Sequence, residues 1–216
     1  GAIESLVGVV VEEDEENWNI DSSMTKFTVL QIFLKLTNIP SIREDWCSLA
    51  SLKEFLNHIV SMLHTTNRVE LTHSAGQFSK KIGLGLIKNL STATANLAFL
   101  CSTELGLMRV LVDMITNENG RYPVEEQRTA CSIVNNFVKL KDSQFFDIML
   151  LAPVNMDLIA SLCASMNSED ATLQTKIRYV LTAMMKKEAF VGKVLNTPHR
   201  EAVLRMLTEE LSVAKS

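Results

Sequence analysis

The sequence predicts an all-α protein, a right-handed α-solenoid of about four three-helix units, and three observations predict it. Aromatic residues make up only 6% of the 216 residues, and Gly and Pro number 8 and 4, so helix formers dominate and turn punctuation is sparse. Apolar residues recur at the three-and-four spacing of one helix face along most of the chain. A pattern of long, short and long apolar segments then returns at intervals in the forties and fifties, the mark of units that bury their apolar faces only by stacking.

The best-defined copy is "ACSIVNNFVKLKDSQFFDIML" (130–150). Ala130, Ile133, Val134 and Phe137 are spaced for one buried face, a polar turn follows at Lys139 to Ser143, and a second, short apolar segment ends near Leu151. The stretch "GLGLIKNLSTATANLAFL" (83–100), 47 residues earlier, matches Gly83, Leu86, Ile87, Asn89 and Leu90 to Ala130, Ile133, Val134, Asn136 and Phe137. In "IRYVLTAMMKKEAFVGKVL" (177–195) Ile177, Val180, Leu181 and Met184 repeat the offsets, with Ala183 in the amide position. The first copy, "VLQIFLKLTNIPSIREDW" (29–46), places Val29, Ile32, Phe33 and Leu36 around Lys35, and its larger distance to Asn89 predicts an insertion at "HTTNRVE" (64–70). A third helix follows each short segment, at Leu52–Leu63, Leu105–Ile115, Val154–Met166 and Ala202–Leu211. Pro153 and Pro198 stand at the first turn of two of these, where a missing N–H is harmless. Unit boundaries are expected near 66–70, 118–122 and 167–169. Residues 1–21 form an acidic N-terminal segment or part of a preceding helix, and 22–216 the repeat domain.

Units of three helices with this period resemble the armadillo repeat, with the HEAT repeat as a near relative. The resemblance covers about residues 22–213. Its best match is "TACSIVNNFV" (129–138), similar to the family's Ala-x-x-Ala-Leu-x-Asn-Leu signature, and Asn89 repeats the amide. Lys35 and Ala183 replace that Asn in the outer units. The glycine usual before the third helix is missing, with Ser102, Ala152 and Thr197 near its place. "FLKLTNIPSIREDW", "LIKNLSTATANLAFL" and "LTAMMKKEAFVGKVLN" are also similar in style to the armadillo-like region of large centriole-assembly scaffolds.

Charge is unevenly placed. Residues 1–21 carry Glu4, Glu12, Glu13, Asp14, Glu15, Glu16 and Asp21 with no base, while 176–205 carry seven Lys and Arg against Glu188 and Glu201. The acidic run reads as a solvated loop or a contact for a basic partner, and the basic end as a solvated face or a contact for an acidic peptide. The overall balance of −4 disfavours nucleic acid. Cys47, Cys101, Cys131 and Cys163 lie within apolar helical patterns and lack paired spacing, so they are expected to be reduced, buried and metal-free.

His58, His64, His73 and His199 have no partner at zinc-ligand spacing. The Gly83-Leu84-Gly85 pair lacks the third glycine of a dinucleotide loop and the Gly-Lys-Ser/Thr of a phosphate loop, and reads instead as close helix packing. Asn89-Leu90-Ser91 fits a glycosylation acceptor but falls inside an apolar helical pattern. The strongest apolar run, "LVGVVV" (6–11), is far too short to span a bilayer.

No catalytic constellation is present in the sequence, and no catalytic, metal or cofactor site is expected. The expected function is a non-catalytic protein–protein interaction module, a fragment of a larger intracellular scaffold, cytoplasmic or nuclear. The centrosome is the compartment that the second resemblance implies. Its partner would be a peptide or helical segment of another protein, with no membrane involved, held by polar positions projecting from the third helices and the basic end: Asn57, Ser61, Arg109, Asp113, Asp157, Ser161, Arg200 and Arg205. Cargo grooves of the karyopherin type carry regularly placed Trp on that helix, and no Trp follows Trp46. The alternative reading is a regulatory or supporting subunit of an enzyme complex, such as a DNA-damage checkpoint or meiotic adaptor.

Overall fold

The computed structural model describes residues 2–11, 20–64, 74–117, 120–139, 154–166, 168–188, 191–192, 198 and 200–213. Among them every regular element is a helix and no strand occurs, so the protein is all-α. The chain divides into two compact units, residues 1–110 and 111–216.

The first unit holds α1 (Ala2–Val11), α2 (Ile20–Leu36), α3 (Pro40–Asp45) with the 3-10 turn Trp46–Ser48, α4 (Ala50–His64), α5 (Ser74–Leu90) and α6 (Thr94–Leu100). Helix α7 (Leu107–Thr116) runs across the division, and the second unit holds α8 (Val124–Phe137), α9 (Val154–Ser165), α10 (Ala171–Met185) and α11 (Arg200–Val213). The long, short, long order therefore occurs over α2–α3–α4 and again over α5–α6–α7. The short segments expected near 143–151 and 188–195 lie wholly or largely outside the described residues, as do the acidic run 12–16, Pro153 and the insertion beyond His64.

Side-chain hydroxyls end the first long helices. Thr37 donates to Leu34 O at 2.7 Å, and at the matching place in the next copy Ser91 donates to Lys88 O at 2.8 Å and Thr92 to Asn89 O at 2.7 Å. Such local bonds satisfy the last helical carbonyls and release the chain from the ladder. The backbone bonds of the break repeat as well. Thr37 N to Phe33 O, Asn38 N to Lys35 O and Ile39 N to Leu36 O correspond to Ser91 N to Ile87 O, Thr92 N to Asn89 O and Ala93 N to Leu90 O. Val138 N to Val134 O and Lys139 N to Asn136 O continue the series at the end of α8. Ile39 and Ala93 are both extended, at φ −85°, ψ 116° and φ −94°, ψ 117°, and turn the chain into the short helix. For Ile39 the cause is the following Pro40, which disfavours the helical region for the residue before it.

Packing follows the copies. In the first unit α2 lies against α5 and α3 against α6, while α1 covers part of α2 and α4; in the second α8 lies against α10, with α9 and α11 also packing on α10. Ile133, Val134, Phe137, Leu86, Ile87, Leu90, Ile177, Val180, Leu181 and Met184 are all buried as their spacing predicts. The first copy departs from this register. Val29 and Phe33 are buried, but Ile32 is 40% exposed and Leu36 half-buried, and Leu30 and Thr37 fill the core instead. The 10-residue α1 is shorter than the 17-residue α2 and covers only part of its length.

A glycine does precede the third helix of the second copy. Gly106 stands immediately before α7 with φ 67°, a left-handed conformation that glycine adopts without penalty, so the helix starts at Leu107 rather than Leu105. The other end of α7 is closed by Asn117, itself left-handed at φ 44°. Its amide donates to Tyr122 O at 3.0 Å and accepts from Tyr122 N at 2.8 Å.

Of the glycine pair in α5, only Gly83 sits at a close approach. A Cβ there would lie 3.0 Å from Ile59 Cγ2 and 3.1 Å from Met62 Cε on α4, whereas one on Gly85 would meet Leu34 Cδ1 at an ordinary 3.6 Å. Gly85→Ala should raise stability by about 0.5–1 kcal/mol through helix propensity. Gly83→Ala gains the same propensity but must push aside a stiff β-branched side chain, at about 1–3 kcal/mol. Urea denaturation should therefore rank Gly85→Ala above the parent and Gly83→Ala at or below it. Equal stabilisation by both would mean that α4 and α5 are not this close.

Candidate functional site

Helix α4 shows how a third helix divides its residues. Leu52, Phe55, Leu56, Ile59, Val60 and Leu63 are buried, and Lys53, Glu54, Asn57, Ser61 and His64 face solvent. The expected positions Asn57 and Ser61 thus lie together, four residues apart, on one exposed polar face. Lys53, one turn earlier, places its ammonium 5.3 Å from the centroid of the Phe99 ring. Arg109 and Asp113 on α7 are exposed, as are Arg200 and Arg205 on α11. Asp157 lies in α9, and its side chain falls outside the described residues.

Ser161 does not project from its helix. It is 5% exposed and shares a short hydrogen bond with the hydroxyl of Thr116, which also lies 2.9 Å from Val112 O, while Ser165 donates to Ile115 O at 2.8 Å. Burial of this turn of α9 turns a polar position into a packing contact between α7 and α9 within the second unit. A small hydroxyl that bonds locally is compatible with either environment, so sequence spacing alone misplaced it.

Two amides, half-exposed Asn89 and buried Asn96, tie the first two copies together. Asn89 donates to Thr37 Oγ1 and Asn38 Oδ1, both at 3.1 Å, tying the end of α5 to the end of α2. This use of its amide nitrogen, at the end of a helix, fits the reading of the Asn89-Leu90-Ser91 acceptor pattern as coincidental. Asn96 is fully buried on α6. It donates to Arg43 O at 2.6 Å and Leu90 O at 3.2 Å and accepts from Cys47 N at 3.3 Å. It lies outside the positions that the helical spacing singles out. The available signal was an amide within the otherwise small and apolar run "TANLAFL", where a polar group must find partners inside the protein.

In the second unit Arg128 on α8 forms a bidentate pair with Asp170, whose carboxylate also caps α10 by accepting from Leu173 N at 2.6 Å. Glu125 takes a third guanidinium bond at 2.6 Å. The hydrogen bonds from Arg128 and then from Leu173 hold the Asp170 carboxyl below its ordinary range. A depressed carboxyl contributes stability that is present above its unfolded value of about 3.9 and lost as pH falls through the folded value. The parent protein should thus lose stability below about pH 4, and Asp170→Asn should start lower at neutral pH and lose less on acidification. Parallel pH profiles of urea midpoints would remove this pair from the acid response.

Lys176 Nζ lies 2.8 Å from Ser132 Oγ, a pairing also found in serine–lysine nucleophile dyads. Here the serine donates its own proton to Arg128 O at 2.9 Å, so the lysine is the donor and the contact joins α8 to α10. The four cysteines are free and buried, and burial pushes the thiols of Cys47 and Cys163 up to about 11 and those of Cys101 and Cys131 up to about 12. Among the described residues no group of His, Cys, Asp and Glu is placed to hold a metal, and no helix is long and apolar enough to cross a membrane. Comparisons with protein-family models, with curated proteins and with solved structures gave no match.

Proposed function

We propose that the chain is a non-catalytic protein-interaction module, a right-handed α-solenoid of armadillo- or HEAT-like units within a larger scaffold, holding a partner peptide or helix along its third helices. The observation that carries this reading is the packing of first helix on first helix, α2 on α5 and α8 on α10, with the same helix break recurring after Leu36, Leu90 and Phe137. Stacked units of this kind leave one helix of each unit with a long exposed face, and extended or helical segments dock on such faces at several points. The polar face of α4 around Asn57 and Ser61, with Arg109 of α7, supports that location. The similarity in style to the armadillo-like C-terminal region of the centriolar scaffold rotatin makes centriole assembly the setting we favour, and the centrosome the compartment.

Site-specific photo-crosslinking in cells tests the reading. A photoreactive residue at Asn57 or Arg109 should give a discrete adduct with one protein, and one at Gln31, exposed on α2, should not. Adducts from Gln31 alone would place the contact on the first helices and reject the proposed face. With the partner in hand, Arg200→Glu combined with Arg205→Glu should slow association at low salt, because exposed charges steer encounter. An unchanged on-rate by surface plasmon resonance would exclude the basic end from binding.

A further inference from the structure

The loop between α7 and α8 contains the one Asn-Gly step of the sequence, Asn119-Gly120. Asparagine is among the chemically labile residues, and a glycine after it puts no side chain in the way of attack by the backbone. Asn119 itself lies outside the described residues. The attacking nitrogen belongs to Gly120, which is described, exposed and left-handed at φ 62°. That nitrogen is already engaged, since Gly120 N donates to Asn117 O at 2.9 Å. Asn117 is held in turn by the two bonds between its side-chain amide and the backbone of Tyr122, and Gln127 Nε2 donates to the same Tyr122 O at 3.1 Å. The carbonyl that occupies the Gly120 N–H is therefore anchored to the start of α8.

From this arrangement we propose that Asn119 is a site of spontaneous deamidation whose rate is set by the clasp of Asn117 on Tyr122. In the reaction the Gly120 nitrogen loses its proton and bonds to the side-chain carbonyl carbon of Asn119. The bond from that carbon to the amide nitrogen breaks, and ammonia leaves. Water then opens the cyclic imide at either of its two carbonyls, giving aspartate or isoaspartate, so the balance is one water gained and one ammonia lost. A proton shared with Asn117 O is harder to remove, and the nitrogen must leave that bond before it can attack. Either product adds a carboxylate to the loop, and isoaspartate also lengthens the main chain by a methylene, which separates Gly120 N from Asn117 O. The proposal rests on the backbone of this loop and is independent of where a partner docks.

The test incubates the whole chain beside a synthetic peptide of residues 116–122 at mildly alkaline pH. Tryptic digestion and tandem mass spectrometry then follow the amide-to-acid mass gain in the fragment 110–121, which contains both Asn117 and Asn119. Asn119 should convert before every other asparagine, and about fivefold or more slowly than in the peptide, the factor that one neutral hydrogen bond supplies. Asn117→Gly keeps the left-handed backbone and removes only the clasping amide, so it should bring conversion close to the peptide rate. An unchanged circular-dichroism spectrum shows that this variant keeps its helices. Hydrogen exchange at the Gly120 amide reads the same clasp in the parent chain, where it should be slow. Four results would overturn the proposal: earlier conversion at another asparagine, a chain left intact after the peptide has converted fully, conversion or Gly120 exchange in the parent at the peptide's rate, or Asn117→Gly converting no faster than the parent.

Discussion

Phe33→Ala should destabilise the first unit by about 3–5 kcal/mol. Phe33 is fully buried, and its ring meets Trp46 edge-on at 5.5 Å and Phe55 at 4.6 Å, so removal empties the centre of a three-ring cluster that joins α2, the 3-10 turn and α4. The loss combines the transfer of the side chain with an unfilled cavity, since Trp46 and Phe55 are held by their own helices and relax only in part. Phe33→Leu keeps much of the volume and should lose well under half as much. Equilibrium urea unfolding followed by Trp fluorescence checks both, because Trp46 reports directly on the cluster. A change below about 1 kcal/mol for Phe33→Ala would mean that the ring is not in the core.

Asn96→Ala should lower stability by about 2–4 kcal/mol, although only a small polar side chain is removed. Three backbone groups, Cys47 N, Arg43 O and Leu90 O, lose the amide that serves them inside the protein, and an unsatisfied buried group is expensive. Asn96→Asp separates the two halves of that role. An ionised carboxylate still accepts from Cys47 N but cannot donate to the carbonyls, and burial raises its pKa. A group whose folded pKa is raised loses stability as pH increases, so this variant should recover toward acid as the carboxyl takes up a proton and becomes a donor. Matched urea series at two pH values would show it, and a pH-independent Asn96→Asp would disprove the hydrogen-bonded role.

The helical class and the core of most copies were legible because periodicity reports burial directly. Leu86, Ile87, Ile133, Val134 and Phe137 could be assigned from spacing alone, and all are buried. The apolar pattern of α2 does not separate Ile32, which is 40% exposed, from Leu30, which is buried, because both are apolar and adjacent faces of one helix read alike in sequence. Gly106 escaped notice because Leu105 continues the apolar pattern across it, while the backbone turns there. For the candidate site, composition separated polar from apolar positions, and Asn57, Ser61, Arg109, Asp113, Arg200 and Arg205 do reach solvent. It could not distinguish a serine that faces water from Ser161, which bonds to Thr116, nor reveal that Arg128 and Asp170 meet across two helices.

The buried thiols give the molecule a built-in clock. Two lie in each compact unit, Cys47 and Cys101 in the first and Cys131 and Cys163 in the second, and in the folded state all four are withdrawn from water and held protonated near neutral pH. Since only the thiolate reacts, alkylation has to wait for an opening event that restores an ordinary pKa. The rate at which each cysteine is modified therefore measures how often its surroundings open. A pair in one unit that labels at a common rate, distinct from the pair in the other, would reveal two cooperative blocks opening on separate schedules without any introduced probe.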